Sequence, residues 1–252
     1  MHIVGISGPI GSGKTTFAEL LLAPDVSHAA HLESSTVVME VCNEFNAALQ
    51  AQPKPYDALR TTNNLLPQLL PILSALSGYQ ITLEDIILTD VHINDNLIWY
   101  NKLFQYYREV TDNPDITSRT ITAINKTVYR SLMQWVGGYF LFRLDDSLIW
   151  YRELKKRILH LEPLVQFVAL TAPRQPAEAD YVRQVLNGLI IMMDRPDTML
   201  DINEGTERRV TQIIPDITII NNGNLTDLKR TAMLVLSDIK SDNYQATYTA
   251  CS

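Results

Sequence analysis

The chain has 252 residues, 46% of them hydrophobic and 19% charged, with a formal net charge of −7. That length and apolar content suit one buried core with a helical insertion, and the acidic balance disfavours a globally basic nucleic-acid-binding surface, leaving local patches open. The two cysteines, Cys42 and Cys251, are far apart and in no metal-like spacing, which argues against a disulfide scaffold or zinc and fits a reducing compartment.

The apolar run His2-Ile3-Val4-Gly5-Ile6 reads as a short buried strand that begins at once, so no signal peptide is expected. Directly after it, Gly8-Pro9-Ile10-Gly11-Ser12-Gly13-Lys14-Thr15 matches the phosphate-binding loop G-x-x-x-x-G-K-[ST] without a mismatch. Thr16-Phe17-Ala18-Glu19-Leu20-Leu21-Leu22 then reads as the start of a helix. The motif thus stands in the strand-loop-helix context that its chemistry needs. Its glycines let successive N–H groups turn inward around phosphate oxygens, and the helix N-terminus adds a favourable dipole. Gly8, Gly11, Ser12, Gly13, Lys14, Thr15 and Thr16 are therefore expected to hold a nucleoside triphosphate. Lys14 would reach the β- and γ-phosphates, and the Thr15 hydroxyl would ligate Mg²⁺.

A short extended piece is expected near Val26–Leu32. Apolar positions Val38, Val41, Phe45 and Leu49 recur at helical spacing from Ser35 to Gln52, and Pro53 and Pro55 end that pattern. A second apolar helical stretch runs from Asp57 to Ser77. The most apolar segment, Leu65 to Leu76, is too short for a membrane span and contains Pro67 and Pro71, so no membrane association is expected. Further helices are expected over Asn94–Val110, Thr120–Leu144 and Asp145–Leu161, the last capped by Asp145 and Asp146. The last third changes character. The continuous apolar runs Leu164–Leu170, Gly188–Met193 and Asp216–Ile220 alternate with helical patterns over Pro176–Asn187 and Leu225–Ile239. Short apolar runs separated by helices indicate a parallel sheet covered on both faces. Residues after Asp242 read as a polar tail.

Three later segments carry a resemblance. They are Tyr129-Arg130-Ser131-Leu132-Met133-Gln134-Trp135-Val136-Gly137-Gly138, continuing through Arg143 to Trp150; Arg174-Gln175-Pro176-Ala177-Glu178-Ala179; and Gly188 to Pro196, followed by Asn221-Asn222-Gly223-Asn224-Leu225-Thr226-Asp227-Leu228. In this order behind the phosphate loop, they resemble the deoxynucleoside monophosphate kinases of tailed phages. The resemblance covers about residues 1–23 and 125–240. It implies an α/β fold, a parallel sheet flanked by helices as in P-loop nucleoside monophosphate kinases, with a large helical insertion. The expected division is a kinase core of 1–34 and 162–240, a helical acceptor-binding insertion of 35–161, and a tail of 241–252. The implied activity is transfer of the γ-phosphate of ATP, with Mg²⁺, to a small-molecule (deoxy)nucleoside monophosphate. The implied location is the cytoplasm, that of the host if the chain is of phage origin. Monomer and homodimer both remain open.

The chemistry of such an acceptor favours arginine, whose fork binds phosphate bidentately and spreads over transition-state oxygens. Arg130 is the candidate for the acceptor phosphate, Arg174 for the acceptor or transferred phosphate, and Arg143 supports them. Gln134 is a candidate reader of a base edge, because its amide both donates and accepts. Trp150 would stack on the base or simply pack a wall. Gly137 and Gly138 would let backbone approach a ligand, or else interrupt a helix. Arg195, before Pro196, opens the polar stretch Asp197–Arg209, which reads as a lid over the donor or as a solvated loop.

Two positions depart from the family pattern. Ala172-Pro173-Arg174 stands where the family has D-x-R, and Gly137-Gly138 stands for its Gly-Thr. The metal-site acid is then sought elsewhere. Asp90, ending Ile86-Ile87-Leu88-Thr89, is the first candidate, ahead of Asp194 and Glu178. Glu178 matches the family's glutamate and is a candidate acceptor contact as well. Two other readings stand beside the leading one. The altered motifs would also suit a hydroxymethylated pyrimidine acceptor, free or carried in DNA, with Asp90 as base. Alternatively, the loop survives in a non-catalytic nucleotide-binding module.

Overall fold

In a computed structural model, the described residues are 1–23, 28–50, 119–143, 148–171, 173–196 and 209–250, with scattered residues between 102 and 116. Side chains of 48–50 and 139–143 lie outside that description. The chain divides into two compact units, Met1–Ser34 with Leu154–Ser252, and Ser35–Glu153.

The first unit is an α/β layer structure. Its strands are β1 (His2–Ser7), β2 (Ala29–Glu33), β3 (Phe167–Thr171), β4 (Leu189–Asp194), β5 (Ile217–Asn221) and β6 (Thr247–Ala250). They form one six-stranded sheet in the order β2-β3-β1-β4-β5-β6, with every pair parallel. The helices of this unit include α1 (Lys14–Leu21), α5 (Pro176–Gln184) and α6 (Leu225–Lys240). Alternation along each strand sends side chains to both faces, and both faces are covered. On one face Val4, Ile6, Phe167, Ala169, Ile191, Met193, Ile217 and Ile219 meet Phe17, Ala18 and Leu21 of α1 and Leu228, Ala232 and Val235 of α6. On the other face, a Cβ placed on Gly5 would meet Ile190 and the α5 side chain Val182. Burial on both sides is why these strands read as continuous apolar runs.

Helix ends follow local chemistry. Pro176 opens α5 at a position where its missing N–H costs nothing. Asn224 caps α6, accepting from Thr226 N (2.8 Å) and Asp227 N (3.1 Å), while the Asp227 carboxylate accepts from Asn224 N (3.1 Å) in a reciprocal capping box. Between α5 and the sheet, Arg183 pairs with Asp216 (3.0 Å), whose carboxylate also accepts from Ile190 N (2.7 Å).

The second unit contains α2 (Ser34–Gln50), α3 (Arg130–Arg143) and the first turn of α4 (Ile149–Leu161). The Phe45 and Trp135 rings pack with centroids 5.3 Å apart. Asn43 holds the segment before α3 through both its amide groups, accepting from Ile121 N (2.7 Å) and donating to Ile121 O (3.2 Å). The expected helices over 57–77 and 94–110 lie wholly or mostly outside the described residues. Among those described, no helix is long and apolar enough to cross a membrane.

The expected tail is a strand at its end. Residues Thr247–Ala250 pair with β5, and their alternation buries Tyr248 and Ala250 while exposing Thr247 and Thr249. The Tyr248 hydroxyl donates to Asp238 (2.9 Å) on α6 and accepts from Gln245 N (2.8 Å). The polar run Ser241–Gln245 before it hides this short strand from a search for continuous apolar stretches. Tyr248→Ala is expected to cost about 2–4 kcal/mol in urea unfolding, whereas a frayed tail would give less than about 0.5 kcal/mol.

Candidate functional site

In a parallel α/β sheet, ligands bind beyond the carboxyl ends of the strands, where neighbouring connections diverge. Here β1 leads toward β2 at one edge, while its neighbour β4 leads toward β5 on the other side. The phosphate-loop residues 8–13 join β1 to α1 at that divergence.

The loop's shape depends on its glycines. Gly8, Gly11 and Gly13 have φ of 142°, 80° and 96°, a region that residues with a Cβ rarely occupy. Space is equally restrictive. A Cβ on Gly8 would collide with the Met193 carbonyl oxygen of β4 and lie 2.8 Å from Ser12 Oγ. Within the loop Ser12 N donates to Pro9 O (3.2 Å), and the first helical hydrogen bond is Phe17 N to Gly13 O (2.8 Å). The amides of Thr15 and Thr16 precede that bond and have no acceptor inside the helix.

The Lys14 ammonium folds back on its own loop, donating to the carbonyl oxygens of Gly8 (2.7 Å) and Pro9 (2.5 Å). Ser12 Oγ is buried and has no hydrogen-bond partner among the described residues. A buried hydroxyl left unsatisfied is costly, and a ligand oxygen is one way to satisfy it. Thr15 is exposed at the start of α1.

Two further cations occupy the same edge of the sheet. Arg174 is exposed in the turn after β3, and Arg195 is exposed just after β4; these are the two strands flanking β1. The Arg174 turn is tied to the loop's own strand, because Ser7 Oγ donates to Pro173 O at 2.6 Å. Glu178 holds it from the other side. Its carboxylate accepts from Arg174 N (2.6 Å) and from Gln175 Nε2 (3.2 Å). Glu178 is buried, and loss of hydration pushes its carboxyl up to about 7 against the lowering effect of these hydrogen bonds and of the Arg174 charge. Asp194 ends β4 and is exposed.

In the helical unit Arg130 is the exposed first residue of α3, and Gln134 is half-buried one turn later. Gly137 and Gly138 do not interrupt α3, which continues to Arg143. A Cβ on Gly137 would only touch Val38 at 3.6 Å. Trp150 is 4% exposed, and its Nε1 donates to Gly137 O (3.1 Å), tying α4 to α3. The Arg143 side chain and Asp90 lie outside the described residues. Among those described, no group of three or more His, Cys, Asp or Glu is arranged to hold a metal ion.

Two residues of the loop's surroundings carried no role in the sequence reading. Ser7, the last residue of β1, lies just past the expected strand run His2–Ile6. Asn221, within the quoted Asn221–Leu228 segment, ends β5 and donates from Nδ2 to Ser12 O (2.9 Å). The available signal was a polar residue closing an apolar strand run beside a phosphate loop. The sequence matches no protein-family model and no curated protein.

The buried carboxyl of Glu178 has a testable consequence. A carboxyl whose folded value exceeds its unfolded one keeps its proton longer in the folded state, so stability falls as pH rises between about 4.5 and about 7 and then levels. Urea unfolding across pH 4.5 to 8 is expected to show this fall in the wild type and a shallower one in Glu178→Gln. Parallel curves would remove Glu178 as its source.

Proposed function

We propose that the protein is a phosphotransferase that moves the γ-phosphate of ATP to a (deoxy)nucleoside monophosphate. The observation that carries this reading is the phosphate loop itself. Three positive-φ glycines, Lys14 and an orphaned Ser12 hydroxyl stand at the switch point of a parallel sheet, with Arg174 and Arg195 after the flanking strands. One arginine beyond the loop would serve hydrolysis as well as transfer, but here there are two. Transfer between two phosphorylated molecules brings more negative charge to one place, and exposed arginines on both sides of β1 suit it.

In this reading the loop amides cradle the β-phosphate, and the Lys14 ammonium exchanges its two carbonyl acceptors for β- and γ-oxygens. The Thr15 hydroxyl is the residue available to hold Mg²⁺, which when bound neutralises charge between those phosphates. Arg174 stabilises the transferred group or the acceptor phosphate, and its turn is already braced by Ser7 and Glu178, so little reordering is needed. Arg195 serves the donor. Arg130 and Gln134, on one helix of the second unit, are the candidate acceptor-binding residues, and the half-buried Gln134 amide suits a base edge. An acceptor phosphate is an adequate nucleophile at neutral pH, so no general base is required. The phage kinase family resemblance supports the monophosphate acceptor over an alcohol, and the net charge of −7 weighs against a DNA-borne one.

Phosphate transfer from ATP across a panel of ribo- and deoxynucleoside monophosphates tests the assignment. Lys14→Ala is expected to reduce transfer by several orders of magnitude. Arg174→Ala is expected to lower kcat/KM about 100-fold or more, as removal of one transition-state donor does elsewhere. Undiminished transfer by Lys14→Ala would take the loop out of the mechanism, and silence across the whole panel would leave a nucleotide-binding module.

A further inference from the structure

Asn221 is 5% exposed, and it reaches the phosphate loop from a strand that does not touch β1. Its Nδ2 donates to Ser12 O at 2.9 Å, a buried bond across 209 residues of sequence. The approach exists because position 13 is glycine. A Cβ there would lie 2.8 Å from that same nitrogen, at a backbone φ of 96°. Gly13 therefore serves two purposes, the left-handed turn and room for Asn221.

The bond has a consequence for the ligand side of the loop. In a trans peptide the C=O and the following N–H point in opposite directions. Holding the Ser12 carbonyl toward β5 turns the Gly13 N–H the other way, out of the protein wall. Glycine at position 13 would otherwise permit this peptide to rotate, since its backbone is the least restricted in the loop. A rotated peptide would present a carbonyl oxygen to a phosphate oxygen, and two acceptors repel.

We propose that Asn221 is a positioning residue for the phosphate loop, fixing the orientation of the Ser12–Gly13 peptide so that the Gly13 amide faces the phosphates. The proposal rests on the triphosphate-site reading and adds to it a donor that must come from β5. The requirement is chemical as well as steric. An amide donates to Ser12 O, a methyl group does not, and an ionised carboxylate of the same shape repels it.

The test is binding of ATP and of inorganic pyrophosphate to the full chain, by calorimetry with Mg²⁺ from pH 5.5 to 8.5. It compares wild type, Asn221→Ala and Asn221→Asp. Asn221→Ala is expected to weaken both compounds by the same factor, about tenfold, the size of one lost buried hydrogen bond. Asn221→Asp is expected to bind worse than Asn221→Ala at pH 8.5. A carboxyl buried against a carbonyl oxygen titrates above the ordinary carboxylate range. Affinity relative to wild type should therefore rise as pH falls toward 5.5 and the protonated form, which again donates, gains population. That pH-dependent ratio is a signature that loss of packing alone does not produce. The near-isosteric aspartate carries the test by itself if the alanine variant folds poorly. Both variants binding within twofold of wild type at every pH would overturn the role of Asn221 alone. A wild type that binds neither compound would overturn the triphosphate site and this role with it.

Discussion

The organising constraint is that a loop built from backbone amides, with glycine at three of residues 8–13, must be held largely from outside. Three glycines with positive φ give the segment after β1 its inward curl, and each also removes the packing that would fix it. Three neighbouring strands supply what is missing. From the turn after β3, Pro173 O takes the Ser7 hydroxyl; from β4, the Met193 carbonyl closes against Gly8; from β5, Asn221 holds Ser12 O. A parallel sheet makes this economical, since it brings the carboxyl ends of all these strands to one edge. Loop and sheet are therefore one device: the core of apolar strands sets the position of groups that never enter it.

Charge is distributed to match. The chain as a whole is acidic, yet Lys14, Arg174 and Arg195 gather at the edge where β1, β3 and β4 end. Glu178, the acid nearest Arg174 in sequence, is buried, and burial pushes its carboxyl up to about 7, which favours the neutral form more than in an exposed glutamate. Burial thus mutes a negative charge beside a place suited to polyphosphate. Lys14 spends the same state on two loop carbonyls. These bonds keep the ammonium satisfied, and they are the ones a triphosphate would have to replace.

Much of this was legible in the sequence, for definite reasons. The motif Gly8–Thr15 lies in contiguous residues, so pattern alone located it. Strands β3, β4 and β5 are buried on both faces and stand out as apolar runs. The all-parallel sheet follows from their alternation with helices. Other features escaped because their signals are not local. The strand Thr247–Ala250 buries only one residue in two and is introduced by polar residues. Asn221 acts across 209 positions, and no periodicity reports such a contact. Trp150 offered an aromatic face in sequence, but its ring is buried and its N–H is committed to Gly137. For Gly137 and Gly138 the sequence left helix interruption open, and the continuous α3 decides against it.

Ala172-Pro173-Arg174 stands where the kinases that the sequence resembles have D-x-R, and the build of this turn bears on that difference. An acid two residues before an arginine can orient it through an ion pair, which ties up the guanidinium. Here the orienting carboxylate is four residues after Arg174 and accepts its backbone N–H, besides attracting its guanidinium by charge. The turn is held at both ends: Pro173 O by Ser7, and the Arg174 amide by Glu178, with Pro176 restricting the chain that follows. Fixing the Cα of Arg174 in this way leaves the side chain exposed while limiting where it can reach. An exposed arginine on a braced backbone has less ordering left to lose on meeting a phosphate than one on an unbraced turn. The missing aspartate is therefore compatible with a working cationic arm, provided that the brace from Glu178 remains in place.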